Sequence, residues 1–280
     1  MLATTAFSWE NTRPQEAACF RRAGFGMVGA LIAGSTLLAG AGVFAWGAVA
    51  PGAQLFGPTL HRAARKESVA LTFDDGPNPA VTPRLLQLLE EHGVRATFFL
   101  IGRHVRACPD LAREIVARGH QVANHTDTHP NLLWLSAQRI REQLLRCYEA
   151  ILQTTGQQAA WFRPPYGYRG PQLDSVVRAL GFRGVVMWSQ MPRDWKPQPL
   201  PRMLERLSRV SGGDMVVLHD GSPRGLNADR TVMLRGLDFW LPRWRERGLE
   251  FVTVDEIASP PAVKAPVQEP KREKETAAVA

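Results

Sequence analysis

Eight acids and histidines of this sequence fall into a few tight clusters. Asp74 and Asp75 are adjacent, just ahead of Gly76-Pro77, and His125 and His129 bracket Thr126-Asp127-Thr128. Arg163-Pro164-Pro165-Tyr166-Gly167 is a stiff stretch carrying one guanidinium, and Asp194-Trp195 and Leu218-His219-Asp220 complete the set. Carboxylates and imidazoles ligate borderline metals and move protons near neutral pH. Taken singly, each cluster has an ordinary explanation. Two acids before Gly-Pro commonly form a turn, a histidine pair four apart arises by chance, and a histidine after a buried strand is usually a satisfied core residue.

The elements that carry these clusters decide between the two explanations. Val69-Ala70-Leu71-Thr72-Phe73 reads as a buried strand ending in the acidic turn. Thr82-Pro83 then opens a helix with Leu85, Leu86, Leu88 and Leu89, closed by Gly93. Residues 96–101 form a second strand, Pro109 starts a helix ending at Gly119, and Gln121-Val122-Ala123 runs into His125. Ser136 caps a helix with Ile140, Leu144, Tyr148 and Ile151 at helical spacing. Further strands are expected at Trp161-Phe162, at 185–187, at 215–218 and at 251–254, with helices over 173–180, 202–210 and 234–244 between them. Fully apolar strands alternating with helices imply a parallel sheet covered by helices. The number of units points to a distorted (β/α) barrel of about seven strands. Every reactive cluster follows a strand, so all of them converge on the C-terminal mouth of such a barrel.

In this order, T-F-D-D-G-P, H-T-D-T-H, R-P-P-Y-G, D-W and L-H-D resemble the motifs of the polysaccharide deacetylase family (NodB homology domain, carbohydrate esterase family 4). The resemblance covers roughly Lys66 to Ile257. It implies that Asp75, His125 and His129 bind a divalent metal, usually zinc, a donor set that suits Zn²⁺ and leaves positions open. It implies that Asp74 is the general base, that Arg163 orients it, and that the Tyr166 N–H joins the metal at the oxyanion. His219 matches the general acid and Asp194 its carboxylate partner. Trp195 and Leu218, with Pro164 and Pro165, would line the acetyl pocket, and Thr126 would brace the loop between the two histidines. One position departs: the fourth motif commonly reads D-x-x-D-W, and Met191 stands where its leading acid belongs. That bears on loop geometry and substrate contacts and leaves the metal set intact. His92, His104 and His120 match no motif and read as structural or surface residues.

Composition sets the frame. The chain has 280 residues, 45% hydrophobic and 21% charged, with a formal net charge of +8. These proportions are those of a folded protein. The basic residues are spread along the chain, which excludes a nucleic-acid footprint, while the surplus favours an anionic surface such as a cell wall or lipid headgroups. Residues 23–60 carry no charge and follow Arg21-Arg22 directly. This run is long enough to cross a bilayer, so residues 23–50 are expected to be a retained membrane anchor or an uncleaved signal. Basic residues flank both ends equally, and the arginines that abut the N-terminal side of the run tip the expectation towards a catalytic domain outside the cytoplasmic membrane, or a secreted one if the segment is cleaved. The expected organisation is a short N-terminal segment (1–22), the anchor, a linker (51–65), the deacetylase domain (66–258) and a disordered tail (259–280). Cys19, Cys108 and Cys147 form no metal spacing and read as free or buried thiols. The expected partner is an N-acetylated glycan, with peptidoglycan leading, then a lipid-linked or secreted glycan, then chitin oligomers. No protein partner is evident. A glycan-binding protein without turnover is the competing class, and an aspartyl-phosphate mechanism is set aside because Asp74 and Asp75 are adjacent.

Overall fold

The computed structural model describes residues 35–258 except Leu37. Its sheet has eight strands, all parallel: β1 (Thr59–Leu60), β2 (Ser68–Asp74), β3 (Thr97–Leu100), β4 (Gln121–Asn124), β5 (Trp161–Phe162), β6 (Gly184–Val186), β7 (Met215–His219) and β8 (Glu250–Phe251). The order is β1-β6-β5-β4-β3-β2-β7, with β8 beside β2. The sheet curls into a half-barrel, and no ladder joins β1 to β7. Isolated bridges span that gap instead, Arg62 with Asp214 and Gln190 with Val216.

Strand β2 is buried along its whole length, as a central parallel strand must be. Side chains alternate between its two faces. Leu71 and Phe73 point outward, into a core shared with Phe98 and Leu100 of β3 and with the surrounding helices. These are α2 (Thr82–Glu91), contributing Leu85, Leu86 and Leu89; α4 (Pro109–Ala117), contributing Leu111 and Ile115; and α8 (Thr231–Glu246), contributing Leu237, Leu241 and Trp244. The inner face collects Ala70, Phe99, Ala123, Trp161, Val186 and Met215, closed at the bottom by Val254. Asp74, Arg163 and His219 share that inner parity, one layer nearer the C-terminal mouth.

Helix α5 (Ala137–Thr155) begins as expected: Ser136 Oγ accepts from the Arg139 N–H, and Gly156 ends the helix in the left-handed region. Three features depart from the sequence reading. The stretch read as a linker contains β1, a two-residue strand paired with β6. A short helix α3 (Gly102–Ala107) follows β3 directly. The last strand stops at Phe251, and Val254 starts a helix α9 (Val254–Ala258) instead of ending a strand. Helix α6 (Leu173–Ala179) and helix α7 (Leu200–Leu207) cover the β5–β6 and β6–β7 crossovers.

The expected anchor lies partly outside the described residues. Among those described, no helix is long and apolar enough to cross a membrane. A helix α1 over 38–49 carries exposed Leu38, Val43, Phe44, Trp46 and Val49. Its end is clamped to the domain by Arg169, itself 1% exposed. The Arg169 N–H donates to the Ala48 carbonyl at 3.0 Å, and its guanidinium donates to the carbonyls of Ala50 and Ala53. Cys108 and Cys147 are free thiols, and Cys147 is buried. The N-terminal segment, Cys19 and the tail beyond Ala258 lie outside the described residues.

Candidate active site

At the mouth, parallel pairing sets Asp74 on β2 beside His219 on β7 and beside Phe99 on β3. The chain then turns sharply. Asp75, Thr126, His129, Tyr166 and Arg193 all hold left-handed backbones, with φ between 59° and 71°. Such conformations are unfavourable for side chains with a Cβ and persist where surrounding contacts enforce them, typically at functional sites. Two of them, Asp75 and His129, bring their side chains together in one buried cluster.

Asp75, His125 and His129 are buried, and their ligating atoms lie within 4.8 Å of one another. The Asp75 Oδ1 is 3.5 Å from His125 Nε2 and 3.3 Å from His129 Nε2. The His125 Nδ1–H donates to the Arg163 carbonyl at 2.8 Å, which leaves the Nε2 lone pair facing Asp75. Asp75 Oδ1 is buried without a hydrogen-bond partner. An orphaned carboxylate oxygen flanked by two imidazole nitrogens fits a divalent cation. Burial alone would raise the Asp75 carboxyl, but the neighbouring imidazoles, His125 first and then His219, hold it well below the usual range. Burial, reinforced by His125, pushes His129 down to about 3, so it is a neutral donor at pH 7. Thr126 braces the loop between the histidines: its Oγ1 accepts from the His129 N–H at 3.0 Å.

Beside this cluster, Arg163 is fully buried and spends its whole guanidinium on positioning. Nη1 donates to Asp74 Oδ1 at 2.6 Å and to Thr72 Oγ1 at 2.8 Å, while Nη2 and Nε reach the carbonyls of Met187 and Val186. It also lies 4.1 Å over the Phe99 ring. Asp74 Oδ2 is left facing the cluster, 3.9 Å from His125 Nε2. On the other side, Asp194 grips His219 twice: Oδ1 to the ring Nδ1 at 2.9 Å and Oδ2 to the backbone N–H at 2.7 Å. Burial opposes the charged imidazole, but Asp194, with Asp75 and Asp74 behind it, raises His219 to about 9. The Trp195 ring lies 5.0 Å from that of His219. Pro164 and Pro165 are buried around the same mouth, and the exposed Tyr166 ring stands 4.6 Å from that of His129. Leu218, expected in the acetyl pocket, instead packs outward with Leu71 and Phe73, because it alternates with inward-facing His219 along β7. Every site residue expected from the sequence therefore lies at one end of the sheet.

Two neighbours were given no role at the site by the sequence. The His104 Nδ1–H on α3 donates to the Asp75 carbonyl at 3.0 Å, holding the left-handed ligand from behind. Asp220, buried, takes a hydrogen bond from Thr82 Oγ1, and burial raises its carboxyl to about 7. The loops can approach this closely because Gly76 and Gly221 have no Cβ; one added to Gly76 would meet the Asp220 carboxylate, and one on Gly221 the Asp75 carbonyl. Nothing in the sequence pattern marks His104, because its role depends on where α3 packs.

The polysaccharide deacetylase family description matches residues 61–185. A chitooligosaccharide deacetylase of Bradyrhizobium sp. (strain ANU 289) is 39% identical over 193 residues, covering 65% of this chain and 87% of that protein. The solved structure of the Bc1960 peptidoglycan N-acetylglucosamine deacetylase superposes with a TM-score of 0.66 at 30% identity, over 71% of this chain and 92% of that one. A pseudoenzyme of the family from Bacillus anthracis superposes with a TM-score of 0.65 at 30% identity, over 71% of this chain and 68% of that one. The chain belongs to the polysaccharide deacetylase family. Its reaction class is that of a polysaccharide N-deacetylase.

Proposed function

We propose that this chain removes N-acetyl groups from an amino-sugar polymer, with peptidoglycan the leading substrate. The single observation carrying this reading is the convergence of a buried Asp-His-His cluster with a base and an acid on opposite sides of it. Asp75, His125 and His129 would hold a divalent cation, and the mixed nitrogen and oxygen donors favour zinc. When bound, that ion supplies Lewis acidity, polarising the amide carbonyl and acidifying a water.

The remaining steps belong to the protein. Arg163 fixes Asp74 through Oδ1, so Oδ2 takes the proton from the attacking water as its oxygen adds to the carbonyl carbon. The Tyr166 N–H donates to the oxygen that gains charge. His219, held as imidazolium by Asp194, protonates the nitrogen as the carbon–nitrogen bond breaks. Acetate and a free amine leave. Trp195, Pro164 and Pro165 accept the acetyl methyl.

The test is acetate release from acetylated glycans by the full chain with Zn²⁺. Asp74→Asn is expected to lower the rate about 10²- to 10⁴-fold with metal still bound. Undiminished release would sink the mechanism. The pseudoenzyme among the structural neighbours motivates a second reading, a glycan binder without turnover, which predicts saturable binding and no acetate. Mass spectrometry of cell-wall fragments before and after treatment identifies the sugar through loss of one acetyl mass.

The reading includes a membrane anchor over 23–50 and an extracytoplasmic catalytic domain. It is supported by the uncharged run after Arg21-Arg22 and by the exposed apolar side chains of α1. Retention of the full chain in carbonate-washed membranes supports it, and recovery in the soluble fraction contradicts it.

A further inference from the structure

Beside the loop that carries Asp194 lies a cavity of about 380 Å³ bounded by Gln190, Met191, Arg193 and, from α7 and its end, Arg202, Glu205, Arg206 and Arg209. Its arginines face one glutamate. They do different things. Arg206 Nη1 donates to the Pro192 carbonyl at 2.9 Å and to Gln198 Oε1 at 2.8 Å, so it holds the loop. Arg209 is paired with Glu205 at 2.8 Å, which takes up the only acid on the rim. Arg193 and Arg202 are exposed, and neither guanidinium has an ion-pair or hydrogen-bond partner among the described residues. Arg193 is also in the left-handed region, at φ 59°, immediately before the residue that grips His219. A non-glycine residue held there at a site's edge implies that its direction matters. Met191, on the same rim, puts a neutral side chain among these cations.

Two unpaired guanidinium forks across a polar cavity match a carboxylate. Adjacent Cα atoms are about 3.8 Å apart, so Arg193 starts within roughly 10 Å of the His219 ring along the loop. That separation brings the cavity within reach of sugar units flanking the one being deacetylated.

We propose that Arg193 and Arg202 form an anion subsite that selects carboxylate-bearing glycan chains over neutral ones. This rests on the deacetylase reading and deepens it by naming the substrate class. The contacts are exposed, so the effect is modest and weakened by salt.

The experiment compares kcat/KM for acetate release by the Zn²⁺-loaded full chain on three glycans of equal length. One is a neutral chitin oligomer, one a peptidoglycan strand bearing stem peptides, and one the same strand stripped of peptide but keeping its sugar-borne carboxylates. In Arg193→Gln/Arg202→Gln, the ratio of carboxylate-bearing to neutral substrate is expected to fall about 3- to 10-fold, through KM, with the unmodified chain's preference shrinking as salt rises. A fall seen only with the peptide-bearing strand assigns the carboxylate to the stem; a fall with both assigns it to the sugar. An unchanged ratio overturns the subsite. Equilibrium binding of the same glycans separates the two claims. No turnover on any glycan, with affinity for the carboxylate strands lost in the variant, keeps the subsite and sinks the deacetylase reading; equal affinities in both proteins sink the subsite.

Discussion

Asp194 holds His219 by two contacts, at its ring and at its backbone, and the ring contact favours the imidazolium. With its pKa raised to about 9, protonated His219 is available across the neutral range and lost as pH rises through 9. Asp194→Asn removes the charge that opposes burial, so the alkaline limb of the kcat profile is expected to move down by one or more pH units, towards or below about 6.5. An unmoved limb contradicts the acid assignment. Stability follows the same sign. A histidine raised above its unfolded value stabilises the fold below about 6.5, and that contribution fades as pH climbs through about 9. Urea midpoints for the parent should therefore decline over that window relative to Asp194→Asn. His104 lies behind the Asp-His-His cluster. Its Nδ1–H braces the Asp75 carbonyl, so His104→Ala is expected to weaken metal binding about 10- to 100-fold, measured by competition with a chromogenic chelator. The sequence could not expose His104, since no motif spacing relates it to Asp75. Asp74, Asp75, His125, His129 and His219 were legible, because each ends an apolar run or follows one within a few residues.

At the scale of elements, the strands and their order of polar ends were readable from alternating apolar runs and from capping residues such as Ser136. Two short elements were not, β1 and α3. Thr59-Leu60 becomes a strand only because β6 offers an edge, and α3 has neither a long apolar stripe nor a side-chain cap. Val254 shows the same limit: an apolar run that continues β8 in sequence turns instead into a plug under the inner core. Arg169 joins the segment before β1 to the loop that carries Tyr166, through carbonyls no pattern announces. Arg169→Ala would leave the Ala50 and Ala53 carbonyls without their donor, with an expected cost of about 2–4 kcal/mol. The midpoint of urea unfolding checks it, and a change below a few tenths of a kcal/mol would show the clamp to be idle. The sheet itself was expected as a barrel, and it is one only in part, since bridges at Gln190 and Arg62 stand where a closing ladder would run.

For the whole molecule, a curled sheet brings groups distant in sequence to one mouth: Asp74 and His219 are 145 positions apart yet paired in register across adjacent strands. The whole chain carries a formal net charge of +8, and an arginine-lined cavity lies beside the loop that carries Asp194, an arrangement that would favour an anionic glycan under the proposed reading. The central claim is that Asp75, His125 and His129 hold the ion on which amide cleavage depends. Its most direct measurement is acetate release from an N-acetylated glycan during stepwise return of Zn²⁺ to chelator-stripped protein. Stripped protein is expected to release no acetate, with recovery to a plateau at one ion per chain and no recovery in Asp75→Ala. Full release after stripping, or recovery in Asp75→Ala equal to that of the parent, would contradict it.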